Sequence, residues 1–156
     1  MLNQSHLPIV DRSYPQIEGT VIAFDFGEKR IGVAVGETAI KSAHAHCIID
    51  SEVNTIRFNQ ISRLIADWQP SLLIVGLPTH LDGKAHQLTH LAKKFAQRLE
   101  GRFNLPVILV DERLSSVEAS QHLTDVGIKG RKQKCMLDAV AAQVILQSYF
   151  DSQQTT

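Results

Sequence analysis

The sequence predicts an α/β fold: a five-stranded mixed sheet, three antiparallel strands followed by parallel βα units, with helices on both faces. Three features lead there. The first part of the chain holds three short β-prone runs whose connections are too short for a crossover, so the runs pair as antiparallel hairpins. From Ile61 onward, apolar residues recur at helical spacing and alternate with continuous apolar runs of strand length. Strands joined through helices pair in parallel and are buried on both faces, hence the unbroken apolar runs.

The elements follow in order. Residues 21–25 (VIAFD) form an apolar run that closes on a carboxylate, and Gly27 lies in the turn behind it. Residues 31–35 form the second strand and residues 43–49 the third. Ile61, Leu64, Ile65 and Trp68 make a helix stripe, with Trp68 closing it as core and Pro70 as the stop. Residues 72–75 are a buried strand, and Leu88, Leu91, Phe95 and Leu99 mark the next helix. Residues 107–110 are the last strand. Ser115-Ser116-Val117-Glu118 fits a capping box, whose Ser hydroxyl and Glu carboxylate satisfy orphan backbone donors of a helix ending near Gly127. A final helix carries Leu137, Val140, Ala141, Val144 and Ile145 on one face. Residues 20–150 are expected to form a single domain, residues 1–19 a loose extension and residues 151–156 a frayed tail.

Composition narrows the function. With 156 residues, 44% hydrophobic and 21% charged, the chain has the profile of a globular protein with one real core. No apolar run approaches the roughly 18–20 residues that cross a bilayer, and residues 1–19 lack the basic start and apolar stretch of a secretory signal. Cys47 and Cys135 have no zinc-ligand spacing and read as packing thiols in a reducing compartment, so a cytoplasmic location with no membrane partner is expected. The 16 basic residues balance the 16 acidic ones, which argues against a protein that coats nucleic acid indiscriminately. An enzyme on nucleic acid needs only a local basic patch beside its site.

The carboxylates give that site a place. Asp25 ends the first strand, and Asp111 and Glu112 end the last; parallel strands would bring these ends to one edge of the sheet, where ligands of open α/β sheets bind. Asp138 borders the apolar stripe of the final helix, near its expected start, and that helix can aim it at the same edge. Converging carboxylates make an all-oxygen site for Mg²⁺ or Mn²⁺, and two such ions about 3.5–4 Å apart suit phosphodiester hydrolysis. Plainer roles compete: a hairpin turn for Asp25, a surface charge for Glu112, and a favourable helix N-terminal charge for Asp138. Gly27 and Gly32 allow tight turning or a close backbone approach to phosphate. Lys29, Arg30 and Arg113 flank the site as phosphate contacts or as ordinary solvated charges. Lys129, Arg131, Lys132 and Lys134 form the one dense basic run, which with Gly130 reads as a mobile loop reaching across nucleic acid. His86 and His90, four apart on a helix, lack the glutamate of a zinc-protease pattern, and His44 and His46 would share a strand face; neither pair is expected to bind metal.

Four segments in this order resemble the YqgF family, also called RuvX: residues 25–34 (DFGEKRIGVA), residues 75–78 (VGLP) with Asp82-Gly83, residues 111–116 (DERLSS), and residues 138–142 (DAVAA) with Ile145-Leu146. They span nearly all of residues 20–150. The resemblance implies an RNase H-like fold and a nuclease linked to maturation of the 5′ end of the small-subunit (16S) ribosomal RNA precursor. Family members have also been proposed as Holliday junction resolvases, by similarity to RuvC. Carried over position by position, it implies Asp25, Glu112 and Asp138 as catalytic metal ligands. The RuvC pattern puts a glutamate after the fourth strand, where this chain has Gly76-Leu77-Pro78, so Asp111 stays open as a substitute for Glu112. Structured RNA, within a pre-ribosome, is the expected substrate. A DNA four-way junction is the second, and a dimer would favour it. A catalytically silent ribosome-assembly module is the third. A phosphotransferase of the sugar-kinase type ranks last, because the chain has no residues for a second domain to close over nucleotide.

Overall fold

In the computed structural model, residues 17–77, 83–111 and 130–153 are described, with backbone alone for 83–86, 111 and 130–136. The three early runs form β1 (Thr20–Phe26), β2 (Arg30–Glu37) and β3 (Ser42–Asp50), each antiparallel to the next. Then follow α1 (Asn54–Trp68), β4 (Leu72–Leu77), α2 (Gly83–Phe103), β5 (Val107–Asp111) and α3 (Gly130–Ser152). The sheet order is β3-β2-β1-β4-β5, with β4 parallel to both β1 and β5. This is the expected mixed sheet. The helix expected before Gly127 lies outside the described residues, as do residues 1–16 and 154–156.

Strand alternation sorts the core into two layers. Ile22, Phe24, Leu73, Val75 and Leu109 face α1 and α2, where they meet Phe58, Ile61, Phe95 and Leu99. Val21, Ala23, Ile74 and Ile108 face α3 and meet Ile145, Leu146, Tyr149 and Phe150. Because β1 and β4 are covered on both sides, nearly every residue in them is apolar. Helix α1 ends where Gln69 turns left-handed (φ 45°) and returns its N–H to the Ile65 carbonyl, just before Pro70.

Helix α3 lies close against β2 because that strand presents Gly32, Ala34 and Gly36 to it. A Cβ on Gly32 would overlap the Asp138 carbonyl and stand 2.8 Å from the Ala139 nitrogen; one on Gly36 would stand 2.7 Å from the Phe150 ring. The helix therefore runs along β2, with Asp138 over Gly32 and Phe150 over Gly36. At the sheet margin Gln143 donates to the Ala43 carbonyl (3.1 Å), while Gln147 accepts from the Ala43 N–H (3.2 Å) and donates to the Lys41 carbonyl (3.0 Å).

Three expectations are corrected. Residues 130–134 are the opening turns of α3 and not a loop; Arg, Lys and Gln are good helix formers, and dense charge alone does not break a helix. With α3 starting at Gly130, Asp138 lies two turns inside it, beyond the reach of the N-terminal dipole. Trp68 is 41% exposed, set edge-on to the His46 ring, because the end of α1 overhangs the β3 margin instead of the core. His44 and His46 do share the face of β3 towards α1, His44 opposite Val35 and His46 against Trp68, with a β-bulge between the Val33–Cys47 and Ala34–Ala45 pairs.

Candidate active site

Asp25 sits one residue past the Phe24–Val75 pair, at the carboxyl end of β1, and pairs with Gly32 across the hairpin. Its side chain shares the row of Val21 and Ala23, the row that faces α3, and it is half-buried. Gly32 has no side chain, so α3 settles its Asp138 backbone on that very position. One glycine thus brings the Asp138 backbone over the residue that pairs with Asp25. Arg30, two residues before Gly32, reaches the same spot: its Nε lies 3.4 Å from Asp138 Oδ2, both side chains being partly exposed. Burial pushes the Asp138 carboxyl above its ordinary pKa, and the Arg30 charge and hydrogen bond pull it back down. A partly desolvated carboxylate beside an arginine can bind a cation or an anionic oxygen pair.

The turn between β1 and β2 is tight. A Cβ on Gly27 would stand 2.5 Å from the Arg30 carbonyl oxygen, so the absence of a side chain is what closes the turn there. Lys29 is exposed at its tip. Beneath it lies a residue that the sequence reading did not single out. Arg57 of α1 is 3% exposed and donates from Nη2 to the carbonyls of Gly27 (2.8 Å) and Glu28 (2.7 Å) and from Nε to that of Ser51. Its guanidinium also stacks over the Phe26 ring, 5.5 Å from the centroid. The available signal was its spacing: Arg57 falls four residues before Ile61 and seven before Leu64, on the buried stripe, where a cation needs a reason.

At the other strand ends, Gly76 pairs with Val110 and Leu77 with Asp111. Glu112, Arg113 and Lys129 lie outside the described residues, and Arg131, Lys132 and Lys134 are placed by backbone alone, at the start of α3. Among the described residues no three His, Cys, Asp or Glu side chains are grouped to hold a metal. His90 is exposed, and His44 contacts Ser42. Cys47 packs against the α1 side of the core, where burial raises its thiol pKa. Among those residues, too, no helix is long and apolar enough to cross a membrane.

Residues 19–152 match the family described as RuvX, Holliday junction resolvase. The chain belongs to the RuvX family. RuvX is a nuclease family, so the chain is an enzyme of the class that cuts nucleic acid. Over 133 residues it is 65% identical to a Methylobacillus flagellatus protein named "Putative pre-16S rRNA nuclease", covering 85% of this chain and 91% of that one. A Dechloromonas aromatica protein of the same name is 57% identical over 134 residues, covering 86% and 92%. Among solved structures, the RuvX chain is similar to T. thermophilus RuvC in complex with a Holliday junction substrate (TM-score 0.55, 15% identity, 88% and 97% of the two chains). It is also similar to the Fowlpox virus resolvase bound to Holliday junction DNA (TM-score 0.54, 13% identity, 87% and 99%). At these identities the likeness establishes the RNase H-like fold of this RuvX chain.

Proposed function

We propose that this chain is a cytoplasmic, Mg²⁺- or Mn²⁺-dependent nuclease that trims the 5′ end of the 16S ribosomal RNA precursor, through a single catalytic domain spanning residues 20–150. The observation that carries the site is the seating of Asp138 over Gly32, beside Asp25. The RNA substrate is supported by the names of the relatives at 65% and 57% identity.

The donor set fits a hard divalent ion. Asp25 and Asp138 offer only carboxylate oxygens, and no thiol or imidazole among the described residues joins them. Glu112 supplies the next carboxylate. It follows Asp111, whose backbone pairs with Leu77 at the carboxyl end of β5, and it stands at the acid position of the DERLSS segment. That favours Glu112 over Asp111. When bound there, one or two divalent ions lower the pKa of an attacking water and stabilise the leaving oxygen.

The chain's own groups do the rest. Asp25, Glu112 and Asp138 hold the metal-binding oxygens, and Arg30 balances Asp138 and stands ready for a phosphate oxygen. Lys29, with Gly27 shaping its turn, and Arg113 contact neighbouring phosphates. Lys129, Arg131, Lys132 and Lys134, the one dense basic run, meet the nucleic-acid backbone. DNA junction cleavage is the second reading, favoured by the description of the matched family.

The test is cleavage of end-labelled pre-16S leader RNA and of a DNA four-way junction, with Mn²⁺, Mg²⁺ or EDTA, beside Asp25→Asn. Metal-dependent RNA cleavage that vanishes in the variant is the expected result. Junction cleavage alone moves the substrate to DNA and keeps the site. Binding of both without cleavage overturns the enzyme and leaves an assembly module.

A further inference from the structure

Arg57 stands in a position that the proposed chemistry does not use. A guanidinium buried to 3% exposure commonly faces a carboxylate, yet the contacts of Arg57 are three backbone carbonyls and the Phe26 ring. Two of those carbonyls, of Gly27 and Glu28, belong to the turn that follows Asp25; the third, of Ser51, belongs to the connection between β3 and α1. Burial lowers the Arg57 pKa and the Glu52 charge opposes that; an arginine remains a cation at neutral pH in proteins. A planar fork of this kind fixes both the position and the orientation of the peptide planes it grips, which a lysine ammonium does not. With the carbonyls of residues 27 and 28 turned inward to Arg57, the turn presents Lys29 outward and delivers Arg30 to Asp138 at 3.4 Å.

We infer that Arg57 is a positioning residue for nucleic-acid binding: it locks the β1–β2 turn from beneath so that Lys29 and Arg30 meet phosphate oxygens. It touches neither substrate nor metal. The inference rests on the reading of Lys29 and Arg30 as phosphate contacts. It makes a distinction that a purely structural role does not, because Arg57→Lys keeps the charge of the protein and loses only the fork. If the turn is what Arg57 controls, the charge-conserving variant still loses phosphate contacts.

The experiment measures binding of the full chain to pre-16S leader RNA in EDTA, where no cleavage occurs, across a range of salt concentrations. Each ordered phosphate contact contributes nearly one unit to the slope of log K against log salt. Arg57→Lys is expected to flatten that slope by about one to two units and to speed amide exchange at Glu28, Lys29 and Arg30 about ten-fold, leaving the β4 amides unchanged. In a Lys29→Ala/Arg30→Ala background, adding Arg57→Lys should change the slope no further. Gly27→Ala disturbs the same turn from its other side with Arg57 intact, and should flatten the slope as well; it answers the question if Arg57→Lys does not fold. An unchanged slope in a folded variant overturns the positioning role and leaves the nuclease reading standing. The expected slope change without RNA cleavage in Mn²⁺ does the reverse. A wild-type protein that binds no RNA overturns both.

Discussion

At the residue scale, Gly32 and Asp138 make opposite contributions to stability. A side chain at position 32 meets helix backbone, which cannot rotate away as a side chain would. Gly32→Ala is therefore expected to cost about 3 kcal/mol or more, at the upper end of overpacking effects, as a lowered urea midpoint, and to displace Asp138 from Asp25. Wild-type stability in that variant would mean that α3 does not sit where the structure puts it. Asp138 costs stability instead. Its carboxyl pKa is raised, by burial first and with Arg30 opposing. Between its ordinary and its raised value the folded protein holds the proton more firmly than the unfolded chain does. Stability thus falls as pH rises through that window, and at neutral pH the folded state bears the full cost of the charge. Asp138→Asn should raise the urea midpoint at pH 7 in EDTA, and the gain should shrink as pH falls below the ordinary carboxylate range. A gain of equal size at both pH values would point away from the carboxyl charge. The strand end that carries Asp25 was legible in the sequence and so was the helix that carries Asp138, but not where that helix starts. Arg57 was not: its partners are backbone carbonyls, which leave no trace in residue identity.

At the element scale, α3 does two jobs. Its apolar side fills the groove that Gly32, Ala34 and Gly36 open along β2, and its glutamines cover the outer edge of β3. Uncovered edges invite pairing with other chains, and the bulge at His46 discourages it further along the same strand. Gln147→Leu removes the partner of the Ala43 N–H and of the Lys41 carbonyl. A loss of about 1–3 kcal/mol is expected from two stripped backbone groups, with self-association that grows with concentration in light scattering. A stable, monodisperse variant would show that water serves the edge as well. The helix pattern was readable, but its start was not. The basic run at residues 130–134 resembles a solvated loop in composition, yet Arg, Lys and Gln are good helix formers and α3 runs back through it. The overhang of Trp68 escaped for a related reason, since helical spacing does not say where the sheet beneath it ends.

At the scale of the whole molecule, connection length determined the topology: short links gave the β1–β2–β3 hairpins, and helical links gave parallel β4 and β5. This arrangement gathers the ends of β1, β4 and β5 at one edge, and α3 adds Asp138 from the far end of the sequence. A neutral chain with 16 charges of each sign can work on a polyanion through a local basic patch, and Lys29 and Arg30 stand at the turn that follows β1. The cost is the partly desolvated charge of Asp138 in the metal-free protein, and a cation bound at the proposed site should relieve it. A ligand that binds only the folded state stabilises by about 2.7 kcal/mol at one hundred times its Kd, which for a chain of this size corresponds to a Tm rise of roughly 5–10 °C. Mn²⁺ should produce such a rise in the wild-type protein over EDTA, and Asp25→Asn and Asp138→Asn should each abolish most of it. Because the measurement needs no substrate, it separates the metal site from the choice between RNA and DNA. A Tm that does not respond to Mn²⁺ or Mg²⁺ in the wild type would leave Asp25 and Asp138 as partners of the Arg30 region alone, and the hydrolytic reading would lose its metal.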